Sequence, residues 1–332
     1  MYLIRKLFHP EIFQGKYRSR NYFEGWYFKL ISQDRLQSLA VIPGISLGST
    51  AKDRHAFIQM IDGSTCRVDY FHYEVSDFAF DDSRFWISVG DCTFSDEGME
   101  LNIDQDGRRV QGHIRFEKVQ KLQKSLTRPG IMGPFGFLPV MECYHGIVNV
   151  HHHLTGQLVQ DGVTWDFSGG RGYVEKDWGR SFPEAWIWLQ CNHFEKGDVS
   201  LMLSVAKIPL FGRYFMGLIS FLRIGDQEHR FATYTGAKLT AFTYESNVLT
   251  VTVEDRRLRL AITAEHSRAG LLKAPKNGMM TAHVHESISA TVFARLTNRQ
   301  GEVVFEGSGR QAGMEIVEGI LPYLSENGRK QK

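Results

Sequence analysis

The chain has 332 residues, enough for two domains or one large one, and enough to bury a core without disulfides or a structural metal. Its 39 Lys and Arg against 37 Asp and Glu leave a formal charge of +2, which argues against a nucleic-acid binder that works through bulk charge. Hydrophobic residues at 42% and charged residues at 23% exclude a disordered or fibrous chain, and 12% aromatic residues is the one unusual figure.

Residues 1–15 are interrupted by charges and a proline, so no signal peptide is expected. From there the dominant period is two. Met99, Leu101 and Ile103 alternate with polar residues, Asp106-Gly107 turns the chain, and Val110, Gly112, Ile114 and Phe116 return. This predicts a hairpin with a type I′ turn. Lys118 to Ser125 reads as a short amphipathic turn of helix. Arg128 to Val140 is apolar and full of Gly and Pro, so it cannot be a helix. It is either packed over a barrel end or a lip for a lipid to enter. Leu154 to Leu158, the turn at Gln160-Asp161-Gly162, and Val163 to Phe167 predict a second hairpin. Leu249 to Val253 and Leu258 to Ile262, joined by Glu254 to Arg257, predict a third. Phe211 to Leu222 is a further apolar candidate for lipid contact, and its core, Phe215 to Leu222, is too short to span a bilayer. Glu315 to Leu324 reads as a second short helix.

Many short strands with close turns predict an all-β fold of antiparallel sandwiches or barrels. Phe23-Glu-Gly-Trp26 and Ala185-Trp-Ile-Trp188 open two halves, and Gly162 to Arg171 and Gly301 to Arg310 come near the end of each. Glu175 and Glu315 follow these segments. The pattern predicts two related β-domains, residues 1–178 and 179–332, which read as an internal duplication, with a pocket in a barrel mouth or between barrels as the default ligand site.

The four cysteines, Cys66, Cys92, Cys143 and Cys191, form no Cys-x-x-Cys pair, so reduced, buried thiols are expected. Residues 165–194 hold four of the six tryptophans, Trp165, Trp178, Trp186 and Trp188, around Glu175, Lys176, Asp177 and Arg180. On an extended Gly172 to Gly179, Tyr173, Glu175 and Asp177 point to one side. Two carboxylates and a phenol near indole rings suit acid chemistry, because burial and a second carboxylate both raise a carboxyl pKa. Aromatic core packing, with Glu175 paired to Lys176 or Arg171, is the competing reading. Upstream lie Glu142-Cys-Tyr-His145 and His151-His-His153, and His283-Val-His285 gives a second His-x-His. Paired His-x-His strands resemble a cupin metal site, but no Glu follows His153 at the required place. Hydrogen-bonded or pocket-lining histidines are the preferred reading, with no metal. No phosphate loop, dinucleotide fingerprint or serine elbow is present, so no cofactor is expected.

Tyr173-Val-Glu-Lys-Asp-Trp-Gly, then Phe182-Pro, then Trp186-Ile-Trp-Leu-Gln-Cys-Asn192, resembles the signature of the tocopherol cyclases of plants and cyanobacteria. Phe23-Glu-Gly-Trp-Tyr-Phe-Lys29, Phe85-Trp86 with Val89-Gly90 and Phe94, and Ala269-Gly270 with Leu272 and Ala274-Pro275 extend the resemblance over residues 20–320. Two departures stand out. Glu142-Cys-Tyr-His145 replaces a Glu-Pro-His-Trp stretch, and Asp177 replaces an Asn. No plastid-targeting extension is expected, as in a bacterial relative. The resemblance implies two lipocalin-like antiparallel β-barrel domains. It reaches, more loosely, to carotenoid 1,2-hydratases, whose Tyr-x-Asp motif falls at Tyr173 and Glu175.

What the resemblance implies is a cofactor-independent isomerase or lyase that protonates a prenyl alkene and lets a phenol oxygen trap the cation, closing a chromanol ring. Alkenes are weak bases, so the donor has to be a neutral, dry, well-aimed acid. Glu175 is the candidate acid, Tyr173 its neighbour, and Asp177 or His145 the acceptor of the phenol proton. Tyr173, Trp178 and Trp186 are candidates to stabilise the cation through their ring faces. Trp26, Glu142, His151, His153, Trp188 and Asn192 complete the expected substrate-binding set. The alternatives are hydration of the same kind of double bond and a non-catalytic lipid or quinone carrier. The expected partner is a hydrophobic prenyl lipid, with no nucleic acid and no obligate protein partner. The expected location is cytoplasmic, with peripheral contact at a membrane.

Overall fold

The computed structural model of the chain describes residues 2–210, 212–266 and 268–324. It divides into two compact units, residues 1–182 with 272–283, and residues 183–271 with 284–332. Each unit is dominated by one large antiparallel sheet, as the period of two predicts.

The first sheet is built from β1 (Tyr22–Ile31), β2 (Ser38–Leu47), β3 (Arg54–Asp62), β4 (Val68–Tyr73), β5 (Phe78–Phe80), β6 (Trp86–Val89), β7 (Cys92–Ser95), β8 (Gly98–Gln105), β9 (Arg108–Gln120), β10 (Cys143–Gln160), β11 (Val163–Asp166) and β12 (Arg171–Gly179). Its strand order is β4-β3-β2-β1-β12-β10-β9-β8-β7-β6-β5, with β11 beside β10. The first strand therefore pairs with the last. Phe71 of β4 and Phe78 and Phe80 of β5, from opposite ends of that path, join one apolar cluster with Trp26, Phe28, Phe94 and Val174. The sheet thus curls around a single interior.

The second sheet comprises β13 (Trp186–Cys191), β14 (Val199–Leu210), β15 (Arg213–Ile224), β16 (Gln227–Ala232), β17 (Lys238–Glu245), β18 (Val248–Glu254), β19 (Leu258–Glu265), β20 (Gly270–Lys276), β21 (Met279–Asn298) and β22 (Val303–Ile316). Its order is β16-β15-β14-β13-β22-β21-β19-β18-β17, with β20 beside β21. The four-strand meander and the pairing of first strand with last repeat the first sheet, in keeping with the sequence parallel between the two halves.

All three predicted hairpins form. In β8, Met99, Leu101 and Ile103 are buried while Glu100, Asn102 and Asp104 are exposed. Asp106 and Gly107 both adopt positive φ, +56° and +74°, which is the type I′ geometry. Gly156 in β10 has φ +125°, and a Cβ there would lie 2.2 Å from the His113 carbonyl oxygen, so only glycine fits.

Both helix expectations need correction. Lys118–Gln120 finish β9, because Gln120 pairs with His151 on β10 and the ladder outcompetes a short helix. Glu315 and Ile316 finish β22, held by pairing with β13, and only a 3-10 turn at Glu318–Ile320 and one helical turn at 321–324 follow. Phe211 lies outside the described residues. Among the described residues no disulfide joins two cysteines; Cys92 and Cys191 are buried, and Cys66 and Cys143 partly so. Among the described residues no helix is long and apolar enough to cross a membrane.

Candidate active site

β12 lies between β1 and β10, and its alternation decides the chemistry on each face. Val174 points into the apolar interior. Tyr173, Glu175 and Asp177 point the other way, with His145 of β10 directly opposite Asp177. The Tyr173 hydroxyl donates to Glu175 Oε2 at 2.6 Å, both groups buried. His145 Nε2 stands 3.5 Å from the same oxygen, and His145 Nδ1 donates to Asp177 Oδ1 at 2.9 Å. Four polar groups therefore form one chain, Tyr173–Glu175–His145–Asp177, that ends on the most exposed of the four side chains, Asp177.

Electrostatics set the proton inventory. Burial alone would push the His145 imidazole down, but the carboxylates of Asp177 and Glu175 outweigh it and carry its pKa up to about 9. At neutral pH the ring is an imidazolium. Burial, reinforced by Glu175, holds the Tyr173 phenol well above its ordinary value, so it remains a hydrogen-bond donor. Donor atoms of His145, Glu175 and Asp177 lie within 4.8 Å of one another, a spacing that could hold a metal ion. Glu175 and Asp177 each already accept a hydrogen bond, from Tyr173 and from His145, which is the arrangement of a proton-handling chain. Among the described residues, neither His-x-His strand supplies such a group of three.

His145 also faces a cavity of about 760 Å³ within the first unit. One wall is the Gly- and Pro-rich loop, including Met132, Phe137, Leu138 and Val140; another is Tyr144 and Trp178. The sequence builds that loop as a bent cover. Gly133–Phe137 make a 3-10 turn, the Tyr144 hydroxyl donates to the Leu138 carbonyl at 2.5 Å, and the His145 amide faces Met132 Sδ at 3.2 Å. Tyr144 and Trp178 stack with 5.4 Å between centroids. A wall that sets apolar loop and aromatic side chains beside His145, Lys6, Arg18 and Arg20 suits an amphiphile.

The family profile described as tocopherol cyclase-like matches residues 107–318, well over half of the chain, and takes in the whole 173–192 motif. The chain belongs to the tocopherol cyclase-like family. It is 26% identical over 210 residues to the chloroplastic tocopherol cyclase of Zea mays, a match covering 58% of this chain and 42% of the maize protein. The chain thus matches less than half the length of that relative. In fold it is similar to CghA solved with Sch210972, with a TM-score of 0.56, 13% identity, and coverage of 89% of this chain and 88% of the other. A protein assigned as AttH from Nitrosomonas europaea has a TM-score of 0.51, 12% identity, and coverage of 89% and 92%.

Within this family member, the four candidate catalytic residues come together; the expected binding residues divide. Glu142 and Trp178 line the cavity. Trp26 is fully buried in the apolar interior, its indole nitrogen donating to the Glu11 carbonyl at 2.8 Å. His151 is buried, and its ring meets His153 edge-on at 5.2 Å. Irregular pairing places Val150 and His151 across from the single residue Tyr173. Trp186, Trp188 and Asn192 belong to the second unit. There the Trp186 indole donates to Glu315 Oε2 at 2.6 Å, and His193 bonds Asn192 at 2.9 Å.

Two features escape a reading by alternation alone. Lys176, fully buried, pairs with Glu24 at 2.5 Å and donates to the Pro10 and Ile12 carbonyls at 2.7 and 2.6 Å. Its ammonium lies 4.6 Å from the Trp26 ring and 4.9 Å from Trp178. Glu24 also accepts from Tyr22 and from the Gln14 amide. This clamp holds the N-terminal segment, whose Lys6, Pro10, Gln14, Arg18 and Arg20 line the cavity. The only sequence signal for that wall was a run of basic residues between positions 5 and 20.

Proposed function

We propose that this chain catalyses a cofactor-independent, proton-initiated cyclisation of a prenylated hydroquinone to a chromanol. The observation that carries the reading is the chain Tyr173–Glu175–His145–Asp177, whose His145 lines the cavity. In the resting protein one proton is shared between Glu175 and His145, with the imidazolium favoured. Its transfer from His145 Nε2 to Glu175 makes a neutral carboxylic acid. That acid is strong enough to protonate an alkene where an imidazolium is not. Tyr173 holds the acid in place, and Asp177 keeps the remaining His145 proton on Nδ1.

The steps balance without loss of atoms. Glu175 gives its proton to the less substituted alkene carbon, leaving a tertiary cation. The phenol oxygen closes on that cation, forming the C–O bond. The phenolic proton passes to the free His145 Nε2. Glu175 is then a carboxylate and His145 an imidazolium, as at the start. Trp178 and Tyr144, which line the cavity, offer ring faces to the apolar tail. Membership of the family and the polar chain support this reading.

A phytyl or polyprenyl methylhydroquinone, solubilised in detergent in D₂O and read by mass spectrometry, tests it. The expected product is an isomer of the substrate with one non-exchangeable deuterium on the new ring. Glu175→Gln keeps the shape and removes the acid, so turnover falls by at least about a hundredfold while substrate binding persists. A water adduct would make the chain a hydratase. Bound, unchanged lipid in the native protein would make it a carrier.

A further inference from the structure

The rim of the cavity carries a pattern that acid–base chemistry does not use. Arg5, Lys6, Arg18, Arg20 and Arg128 have no ion-pair partner among the described residues, whereas neighbouring Lys16, Lys121 and Lys124 pair with Asp82, Asp96 and Glu11. Lys6 and Arg18 both line the cavity and lie close enough to repel; burial and then the Arg18 charge push the Lys6 amine down. Apolar side chains stand out from the same rim. Leu126 is 85% exposed, Tyr17 69% and Val140 51%, with Leu7 and Phe137 also in solvent.

The two segments that carry these residues touch. Phe8 meets Phe137 edge-on at 6.1 Å, and Lys124 donates to the Phe8 carbonyl at 2.9 Å. The helix Tyr2–Phe8 and the loop around 126–140 therefore share one edge of the cavity mouth. Unpaired cations set among exposed aliphatic and aromatic side chains match an interfacial surface, where apolar groups enter the acyl boundary and cations face headgroups.

We propose that this rim docks on an anionic lipid surface, so that a lipid can pass from the bilayer into the cavity. This rests on the reading that the cavity takes a prenyl lipid, since such a substrate resides in a bilayer. An acidic protein would satisfy the cations but would not account for aliphatic side chains exposed on a Gly- and Pro-rich loop.

Flotation of the full chain with vesicles of phosphatidylcholine, and with vesicles that also contain phosphatidylglycerol, tests the docking. Turnover of the detergent-solubilised hydroquinone is measured alongside. The chain is expected to float with the anionic vesicles, to stay behind with the neutral ones, and to be released by added salt. Arg5→Glu and Arg128→Glu each weaken binding by about fivefold or more, and Leu126→Ser weakens it further. None of these three lines the cavity, so turnover in detergent is unchanged. Native protein that floats with neither vesicle, or equally with both, overturns the proposal. So does a triple variant that floats as the native chain does. Loss of turnover in native protein that still docks counts against the cyclase reading alone.

Discussion

His145 is the residue on which the site turns. Its ring bridges Glu175 and Asp177, and its raised pKa has a consequence for stability. The folded value lies above that of a free imidazole, 6.5. The stabilisation it contributes is therefore complete below that pH and fades as pH climbs through about 9. If the Glu175–His145 pair must hold one proton to work, the falling limb of the pH–rate profile lies in the same window, as a property of the pair. Asp177→Asn removes one of the two charges that hold the proton on. That limb should then move to lower pH by about one unit or more, with the acid limb less affected. A structural role for Asp177 would lower the whole profile without moving it. Tyr173, Glu175 and Asp177 were legible as one face from alternation alone. Their bond to His145 was not, because 28 residues of sequence separate Tyr173 from His145 and only the pairing of β10 with β12 brings them together.

At the scale of elements, β12 works as a two-faced support. One face presents the proton-handling groups; the other buries Lys176 against Glu24, Trp26 and Trp178. Burial pushes both partners toward their neutral forms, and each holds the other charged. Lys176→Met would leave Glu24 buried without its counter-charge, so a loss of about 3–5 kcal/mol is expected in denaturant unfolding. Adding Glu24→Gln restores much of it, since an amide oxygen can still accept from the Gln14 amide and the Tyr22 hydroxyl. Recovery in the double variant separates an orphaned charge from mere loss of packing. Sequence placed Lys176 beside Glu175, and suggested their pairing. The pleat forbids it, because adjacent strand residues face opposite sides. Gly172 shows the same closeness, since a Cβ there would sit 2.1 Å from His152 Nε2.

Over the whole molecule, the chain does not divide by a single cut. Residues 272–283 belong to the first unit although second-unit sequence flanks them on both sides. They are bound to it in detail. Gln59 exchanges hydrogen bonds with the Lys273 backbone, Ser46 donates to the Gly278 carbonyl, and the Gly278 amide donates to the Arg180 carbonyl at 2.7 Å. The Phe182 amide reaches the Pro275 carbonyl, and the Asn277 amide reaches the Ser181 hydroxyl. At about 1 kcal/mol for each bond, losing these contacts costs roughly as much as a small domain's net stability. Residues 1–182 expressed alone are therefore expected to lack a cooperative unfolding transition, which calorimetry would reveal. A sharp transition near that of the full chain would show that the segment is dispensable.

What the sequence by itself determined is local and periodic. Alternation and turn residues specify the strands, the three hairpins and the shared face of Tyr173, Glu175 and Asp177, because the pleat and positive-φ turns act within a few residues. The 173–192 motif carried the family for the same reason, being continuous along the chain. Tertiary structure decided the rest. It joined β1 to β12 and β13 to β22, aimed His145 between two carboxylates, drew β9 through residues that would otherwise favour a helix, and wrapped the N-terminal segment around the cavity. Each outcome depends on burial and on pairing between residues far apart in sequence, where desolvation and backbone hydrogen bonding outweigh local preference.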